Sequence, residues 1–421
     1  MSTPSRVSSL APFRIRSFRF QWPADLTTSW AFEMETLILG WYVLVATQSV
    51  LMLTVFASLQ YLGTLIAPLF GVLSDRIGHR TVLCAMRAIY AALASILMTL
   101  SFAGVLSPVH VFIIAALMGM VRPSDMGMRA ALVGDTMPAA QLMSAMSIQR
   151  TTSDSARIAG ALTGAGLVAT LGMGPAYLAI ASLYATSFFL TLKVARMGSA
   201  RRAPPDAAQV ASSASPWRDL RAAAAYVWNT PHLLGTMCLA FLVNLTAYPL
   251  VNGLMPYVAK EIYQTDQTGL GYLVAGFAAG ALLGSITLSR TGRTLRPARM
   301  MIVFCAIWYA MILAFAQMRT PVGGIPVLFL TGFAQSLGMV PMAALLLRNS
   351  EVQFRGRLMG LRMLAIYGLP LGLLISGPLI ARFGYPVTAT VYCAIGLTFT
   401  LLIAVHWRAH LWRAEAPANT R

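Results

Sequence analysis

Residues 71–83 read GVLSDRIGHRTVL, a polar and basic turn between two long apolar segments. The charged and titratable side chains of the turn all lie between Asp75 and Arg80. The segments on either side, 50–70 and 84–103, have almost no charge. Charge concentrated in so short a turn indicates a loop in water that joins two helices in an apolar phase.

The composition of the whole chain is typical of a membrane protein. Of its 421 residues, 57% are hydrophobic and only 10% are charged, and the mean hydropathy is +0.70. A bilayer core about 30 Å thick needs roughly 20 apolar residues in each helix, and such windows recur along almost the whole chain. The sequence predicts about twelve spans, near residues 24–46, 50–73, 81–103, 109–132, 144–170, 175–195, 232–256, 268–289, 300–318, 324–347, 359–381 and 386–406.

The placement of charge predicts the topology. The formal net charge is +18, nearly all of it from arginine, and the arginines fall in alternate loops. Under the positive-inside rule both termini are cytoplasmic, which requires an even number of spans. The basic excess then orients the protein in the lipid bilayer, and we expect no nucleic-acid partner. The first 23 residues lack the apolar region of a removable signal peptide, so none is expected.

A long polar interval separates two halves of the chain. Its first part is rich in Pro and Ser, as a flexible linker is, and its second part, SPWRDLRAAAAYVW at 215–228, predicts an amphipathic helix on the membrane surface. The predicted organisation is a cytoplasmic N-terminal segment, a six-helix bundle, a cytoplasmic linker, a second six-helix bundle and a cytoplasmic tail, at residues 1–23, 24–195, 196–231, 232–406 and 407–421.

A weak internal repeat supports the two halves. At an offset of 213 (332 minus 119), Gly119 pairs with Gly332, and the AAL run at 130–132 pairs with the AAL run at 343–345. Two parallel six-helix repeats, with the substrate site between them, are expected of a large class of secondary transporters. The sequence therefore predicts an all-α membrane protein with 12 transmembrane helices in two pseudo-symmetric halves.

The turn at 71–83 resembles the loop signature of the major facilitator superfamily, G-x-L-a-D-r-x-G-r-k-x-x-l. The matching residues are Gly71, Leu73, Asp75, Arg76, Gly78, Arg80 and Leu83. In that family the loop latches the two halves together on the cytoplasmic side when the cavity opens outward. The resemblance implies the same latch here, with Asp135 as the acidic partner. An ordinary positive-inside loop is the alternative.

The match has one departure. The family usually has a basic residue after the second glycine, whereas this chain has His79. Histidine changes its charge near neutral pH. The charge at this position of the latch therefore depends partly on pH, or Arg80 takes over the role of the basic residue.

Three stretches resemble one bacterial branch of the superfamily, the group of the enterobactin exporter and the macrolide efflux proteins. They are SPWRDLRAAAAYVWNTP at 215–231, FRGRLMGL at 354–361 and RPSDMGMRAALVGDTMP at 122–138. Members of the group export siderophores or hydrophobic drugs, and the resemblance implies export in exchange for protons. It also implies a multi-pass protein of the bacterial inner membrane.

The energy source follows by exclusion. No G-x-x-x-x-G-K-[ST] loop is present, and the only lysines, Lys193 and Lys260, lie outside glycine-rich turns. Transport must therefore draw on an ion gradient. The four cysteines are dispersed without metal-ligand spacing, so we expect neither a metal nor a cofactor.

Two glutamates near the middle of span one are candidates for proton coupling, because an ionisable group costs about 2.5–3.5 kcal/mol at a helix centre. Glu33 and Glu35 are two residues apart, about 200° around a helix, so they cannot both face one cavity. We favour Glu33 as the cavity-facing acid, with Trp30 on the same face, and expect Glu35 to face a neighbouring helix. Alternatively, both are structural partners of intramembrane arginines.

Spans four and five carry further charges. Arg122 and Asp154 lie at similar depth, so they could pair, as could Asp125 with Arg150. Arg122 also resembles the arginine of the superfamily's fourth-span motif, which is associated with proton coupling. Arg157 in span five is a further candidate for proton coupling. A purely structural network of ion pairs is the alternative for all of these residues.

A polar stripe in span seven is the candidate substrate site. Asn244, Tyr248 and Asn252 recur at four-residue spacing, with Phe241 on the same stripe. Amides beside an aromatic ring suit a cavity for a mixed polar and apolar solute, and hydrogen bonding between helices is the alternative. The cavity candidates also include Trp30 and, with weaker support, Gln335, Tyr272 and Arg362.

The sequence thus predicts a monomeric, proton-coupled exporter of a small amphiphilic organic molecule that works by alternating access. Uptake by symport is the alternative within transport. A membrane-embedded enzyme would need a clustered nucleophile or metal site, and the five histidines are scattered at helix ends. We therefore expect no enzymatic activity.

Overall fold

A computed structural model describes residues 11–64, 66–195, 225–291, 297–348 and 365–408. All regular elements among these residues are helices. Most of the predicted amphipathic helix, together with the FRGRLMGL stretch and Arg362, lies outside the described residues.

The N-terminal part of the chain begins with a 3-10 turn at Ala11–Arg14. Its helices are α1 Arg16–Thr47, α2 Val50–Leu59, α3 Ala67–Ile77, α4 His79–Phe102, α5 Pro108–Thr136, α6 Ala139–Leu171 and α7 Met173–Leu192. A second 3-10 turn, Leu62–Thr64, lies between α2 and α3.

The described residues of the C-terminal part are also helical. Its helices are α8 Pro231–Thr246, α9 Met255–Tyr257, α10 Gln267–Thr291, α11 Pro297–Gln317, α12 Pro321–Arg348, α13 Gly368–Phe383 and α14 Tyr385–His406. Two π-helical segments, Pro249–Gly253 and Val258–Ile262, flank the short α9.

The predicted second span is wrong as one continuous helix. The chain breaks after Leu59 and resumes as α3 at Ala67. At the break Gly63 packs so closely on α5 that a Cβ at this position would lie 2.0 Å from the Met120 carbonyl oxygen. Pro68 then opens α3, where a missing backbone N–H costs nothing.

The predicted seventh span is also interrupted. Proline has no backbone N–H to donate, and Pro249 begins the first π-helical segment. A π-helical segment shifts the positions of the side chains that follow it, and such segments are frequent at functional sites. The spacing of four residues that the sequence suggests therefore does not continue beyond Tyr248.

Eight of the described helices are long and apolar enough to cross a membrane, and two shorter apolar helices, Val50–Thr64 and Gly368–Phe383, accompany them. Two long helices are absent from this set: α1 with 32 residues and α6 with 33. Both have the length of a span, but their polar side chains lower their hydropathy. The chain is a multi-pass membrane protein. Its two polar long helices, α1 and α6, contact each other through polar side chains.

The chain divides into two compact units, and each takes a short segment from the opposite half of the sequence. The first unit contains Met1–Gln48, Leu59–Arg202 and Asp266–Ala275. The second contains Ser49–Ser58, Ala203–Thr265 and Gly276–Arg421. The exchanged segments come from α2 and from the start of α10.

The glycines that define the internal repeat serve the same purpose in each unit. A Cβ on Gly119 would lie 2.0 Å from the Leu59 carbonyl oxygen, and a Cβ on Gly332 would lie 2.0 Å from the Phe277 carbonyl oxygen. Both positions therefore bring two helix backbones into contact, as small residues do in membrane bundles. Gly280 in α10 makes a similar approach, with the Phe329 carbonyl oxygen 1.8 Å from the position of a Cβ.

We expect Gly119→Ala and Gly332→Ala to destabilise the protein by about 1–3 kcal/mol each, because the new methyl group must push two helices apart. Gly127→Ala in α5 is the matched control, since no heavy atom lies within 4 Å of its Cβ position. Thermal unfolding of the purified variants measures the effect. Equal melting temperatures for all three variants would contradict this account of the packing.

Candidate functional site

The turn at 71–83 contains a sharp junction between α3 and α4. Gly78 has a φ of 92°, a conformation that favours glycine, and joins the two helices directly. The second glycine of the motif therefore forms a tight turn. Gly71, the first glycine, makes no close helix approach, because no heavy atom lies within 4 Å of its Cβ position.

The departure from the family motif forms a direct contact. His79 Nδ1 lies 2.7 Å from Asp135 Oδ2 at the C-terminal end of α5, and both side chains are partly exposed. Arg80 donates a hydrogen bond to the carbonyl oxygen of Leu192, the last residue of α7. Arg76 is exposed, and the side chain of Asp75 is not among those described. Two residues of the motif thus connect α4 to the ends of α5 and α7.

The two glutamates of α1 face different helices. Glu33 faces α6, where its Oε2 lies 3.9 Å from Arg157 Nε, and its side chain is 29% exposed. Glu35 is buried, and its Oε2 accepts a hydrogen bond of 2.9 Å from the Tyr184 hydroxyl on α7. The expected separation of the two carboxyl groups is present, with Glu35 on the side that faces a neighbouring helix.

Trp30 lies on the same side of α1 as Glu33. Its indole Nε1 donates to Thr163 Oγ1 on α6 at 2.8 Å. About two turns earlier on α1, Trp22 Nε1 donates to Thr152 Oγ1, also at 2.8 Å. These contacts place polar residues of α1 and α6 against each other. The polar side chains that lower the hydropathy of both helices are therefore used in the packing between them.

Arg122 binds α1 and the residues after α2 instead of an acid on α6. Its Nη1 donates to Thr36 Oγ1 at 2.8 Å and to Gln60 Oε1 at 2.6 Å. Its guanidinium lies over the Phe32 ring, 4.5 Å from the centroid, and interacts electrostatically with Glu35. Arg122 therefore supplies the positive charge near the buried carboxyl group.

Both interhelical pairs expected from helix depth are wrong. Asp154 pairs with Arg150, one turn earlier on α6, at 3.4 Å, and Asp125 pairs with Arg129, one turn later on α5. Residues four apart on a helix are neighbours, so such a pair forms without any requirement on helix packing. The depth of Asp125 along its helix does not determine on which face of α5 its side chain lies.

A buried charge network in the first unit was not predicted. Asp25 accepts from Arg87 on α4 and lies 3.8 Å from Arg129 on α5. Its other oxygen, Oδ2, accepts from Gln149 Nε2 on α6 at 2.7 Å. Arg87 also donates to Thr191 on α7. Asp25 and Arg87 both lie inside predicted spans, so the cost of an intramembrane charge was the signal that could have identified them.

Two of the candidate substrate residues of the second unit, Tyr248 and Gln335, are in contact. Gln335 Nε2 on α12 donates to the Tyr248 hydroxyl at 2.9 Å, and the Tyr248 ring packs edge-on against Trp308 of α11 at 5.1 Å. Asn244 is buried one turn before Tyr248 and donates to the Ala240 carbonyl oxygen of its own helix. The structure thus brings together two predicted side chains from different helices and adds Trp308, which the sequence did not single out.

Three remaining cavity candidates are less enclosed. The Phe241 ring is 39% exposed, and Tyr272 is also exposed. Asn252 lies in the first π-helical segment and is partly buried. Among the described residues, no group of three His, Cys, Asp or Glu side chains could hold a metal ion.

Comparison with known proteins agrees with this architecture. The sequence model of the Major Facilitator Superfamily matches residues 26–370 and 237–419. No curated protein matches the chain. Among solved structures, the chain is similar to the human organic anion transporter MFSD10 (TETRAN), with 17% identity, a TM-score of 0.65, and coverage of 93% of this chain and 99% of that one.

Two further structures are similar in fold. A D-xylose-proton symporter is 13% identical, with a TM-score of 0.68 and coverage of 92% of this chain and 96% of that one. An auto-inhibited peptide transporter of the POT family is 15% identical, with a TM-score of 0.72 and coverage of 96% and 98%. Since the family model matches most of its length, the chain belongs to the Major Facilitator Superfamily and is a membrane transporter, not an enzyme.

Proposed function

We propose that the protein is a proton-coupled exporter of a small amphiphilic organic molecule, such as a siderophore or a hydrophobic drug. It works by alternating access in the bacterial inner membrane, with both termini in the cytoplasm and with 24–195 and 232–406 as its two transporting halves. The main support for the proposal is the environment of Glu35, whose carboxyl group is buried and accepts a hydrogen bond from a tyrosine hydroxyl. The finer resemblance to the enterobactin exporter and macrolide efflux branch supports export as the direction.

The geometry favours Glu35 over Glu33 as the proton carrier. A charged carboxylate taken out of water is costly unless it is paired, and a bound proton removes that cost. Glu33 is partly exposed and lies 3.9 Å from Arg157, so both water and a cation are available to its carboxyl group. Glu35 is buried, and the one hydrogen bond that its side chain makes among the described residues comes from a neutral hydroxyl. We therefore revise the expectation from sequence and place the coupling proton on Glu35.

Arg122 supports the deprotonated state of the cycle. Its guanidinium acts electrostatically on Glu35 but forms no salt bridge to it, and its Nη1 donates to Thr36 and Gln60. This attraction favours the carboxylate, whereas burial favours the protonated acid. Alternation between two such states is what proton coupling requires.

The driving force is adequate for export. One proton that moves down a potential of about 100 mV releases about 2.3 kcal/mol. This free energy is enough for roughly 50-fold accumulation of one solute molecule. No nucleotide is needed, in agreement with the absence of a phosphate-binding loop from the sequence.

We place substrate contacts on the cluster of Asn244, Tyr248, Gln335 and Trp308 in the second unit. Its amide and hydroxyl groups offer hydrogen bonds, and its indole and phenol rings offer apolar surface. A solute with both polar and aromatic parts would match this chemistry. We assign Phe241 and Asn252 to the same site because they lie on the same stretch of chain.

The cytoplasmic latch is the remaining part of the proposal. The contact between His79 and Asp135 links α4 to the end of α5. Protonation of the imidazole turns this contact into an ion pair and strengthens it. The latch would then respond to cytoplasmic pH, which a permanently charged residue at this position would not do.

We expect Glu35→Gln to abolish uphill export, because glutamine mimics the protonated acid and cannot release a proton. Glu33→Gln is the matched control and should retain most of the activity. Everted membrane vesicles acidified inside, with ethidium and a catecholate siderophore as probes, measure accumulation against a gradient. Loss of accumulation in Glu33→Gln but not in Glu35→Gln would return the carrier role to Glu33.

The same vesicles test the direction of transport. An exporter accumulates the probe in everted vesicles that are acidic inside. A symporter for uptake would instead accumulate it in right-side-out vesicles that are acidic outside. The second result would contradict export and support the alternative.

We expect His79→Lys to make the export rate less dependent on cytoplasmic pH, because lysine keeps its charge across the neutral range. Asp135→Asn should slow export at every pH. Initial export rates at a fixed transmembrane pH difference measure both effects. His110→Gln, at the opposite end of α5, is the control. An unchanged pH profile in His79→Lys would rule out the titratable latch.

A further inference from the structure

The beginning of α1 presents a narrow face between α6 and α7. On one side of this face, Trp22 Nε1 donates to Thr152 on α6. On the other side, the Ser187 hydroxyl of α7 donates to the Ala24 carbonyl oxygen. A further side of α1 packs on α5. The face between α6 and α7 is at least partly exposed, and its residues follow one another at a spacing of one turn: Arg16, Phe20, Pro23 and Thr27.

Three cations lie at the first end of this face. Arg16 and Arg19 are exposed and lie one turn apart on α1. Lys193, directly after α7, is also exposed, and its Nζ lies over the Phe20 ring, 5.7 Å from the centroid. A cation at this distance is attracted by the face of an aromatic ring. These three cations, together with Phe20, form a basic patch to which two helices contribute.

The backbone on both sides of Lys193 is held in place. Before it, the carbonyl oxygen of Leu192 accepts a hydrogen bond from Arg80 of α4. After it, the Ala195 N–H donates to Ser17 Oγ on α1 at 3.4 Å. The end of α7 is thereby attached to the beginning of α1. The basic patch is therefore a fixed arrangement of the bundle, although its side chains are exposed.

The basic patch has no acidic partner in the part of the chain that the structure describes. No ion pair among those residues joins one of its three cations to a carboxylate. Arg19 donates to the Phe13 carbonyl oxygen, which is a neutral group. Asp25, the next acid along α1, is buried and pairs with Arg87. Neighbouring like charges repel one another, so an anion that contacts all three cations would be bound favourably.

The length of α1 places the basic patch at the level of the lipid headgroups. The helix has 32 residues and begins at Arg16. It is therefore about 48 Å long, whereas the hydrocarbon core of a bilayer is about 30 Å thick. The apolar span predicted from the sequence begins near residue 24. Residues 16–23 extend about 12 Å beyond that point, into the layer that contains the lipid phosphates.

We propose that the basic patch binds one anionic phospholipid, with the phosphate against the three cations and an acyl chain along the exposed face of α1. Basic pockets between transmembrane helices bind such headgroups. A free phosphate ion would use the cations but leave Phe20 and Pro23 exposed, whereas a lipid covers both the charge and the apolar surface. The site shares no residue with the proton carrier or the substrate contacts, so it is independent of the proposed function.

Native mass spectrometry of the purified, full-length protein tests the lipid site. The protein in detergent micelles is titrated with phosphatidylglycerol or with phosphatidylcholine of the same acyl chains, and the fraction that retains one lipid gives each affinity. We expect the parent to prefer phosphatidylglycerol by about tenfold or more, because only that headgroup has a net negative charge. Arg16→Gln and Lys193→Gln should each weaken phosphatidylglycerol binding by about fivefold. Their binding of phosphatidylcholine should change little.

Arg382→Gln is the matched control. The Arg382 guanidinium lies over the Phe383 ring, 5.3 Å from the centroid, so it is also an exposed cation beside a phenyl ring, but it belongs to the second unit. The control removes the same charge without changing the basic patch. Arg16 and Lys193 are both exposed and come from different parts of the chain, so either variant decides the question if the other is poorly produced.

A selective loss of phosphatidylglycerol binding in the two patch variants, but not in Arg382→Gln, would support the lipid site. Equal affinity of the parent for both lipids, or parental affinity in both patch variants, would overturn it. An equal loss in the control would assign the preference to net charge alone and also overturn it. Displacement of the lipid by glycerol 3-phosphate would indicate a site for a free phosphate group instead. Binding that appears only after deletion of residues 201–214 would indicate that the linker covers this face, and would likewise overturn the proposal.

Discussion

Charged groups inside a helix bundle have no bulk water to solvate them, so each needs a partner, and this requirement organises the first unit. Asp25 is the centre of that organisation. Its carboxylate contacts side chains from α4, α5 and α6, and the arginine from α4 extends to α7. Loss of one member of a buried pair typically costs about 3–5 kcal/mol, because the other charge is left uncompensated. One aspartate thereby fixes the relative positions of five helices.

That fixed frame determines the surroundings of Glu35. The helices joined by Asp25 also contribute Tyr184 and Arg122, the groups that act on the Glu35 carboxyl. A carboxyl group buried against a neutral hydroxyl, with a cation nearby that forms no salt bridge to it, is suited to binding and releasing a proton. The more exposed Glu33 beside Arg157 has the environment of an ordinary ion pair. Glu33 and Glu35 have different surroundings because they are two residues, or about 200° of rotation, apart on one helix.

The sequence predicted the fold because its signals are strong and local. Apolar windows, alternating arginines and the motif at 71–83 each depend only on composition and spacing. The pairings of the charges needed information that spacing does not hold. Asp154 and Asp125 took partners on their own helices, and Gln60, which binds Arg122, lies in a break that the hydropathy pattern does not reveal. Asp25 and Arg87 were visible as charges within spans, but nothing in their spacing showed that they meet.

The proposed transport mechanism requires Glu35 to exchange a proton in the pH range in which transport runs. An equilibrium infrared titration of the purified parent, with Glu35→Gln and Glu33→Gln beside it, measures this most directly. We predict a protonated-carboxyl band that grows as the pH falls through the neutral range, persists in Glu33→Gln and is missing in Glu35→Gln. A band that persists in Glu35→Gln and disappears in Glu33→Gln would contradict it.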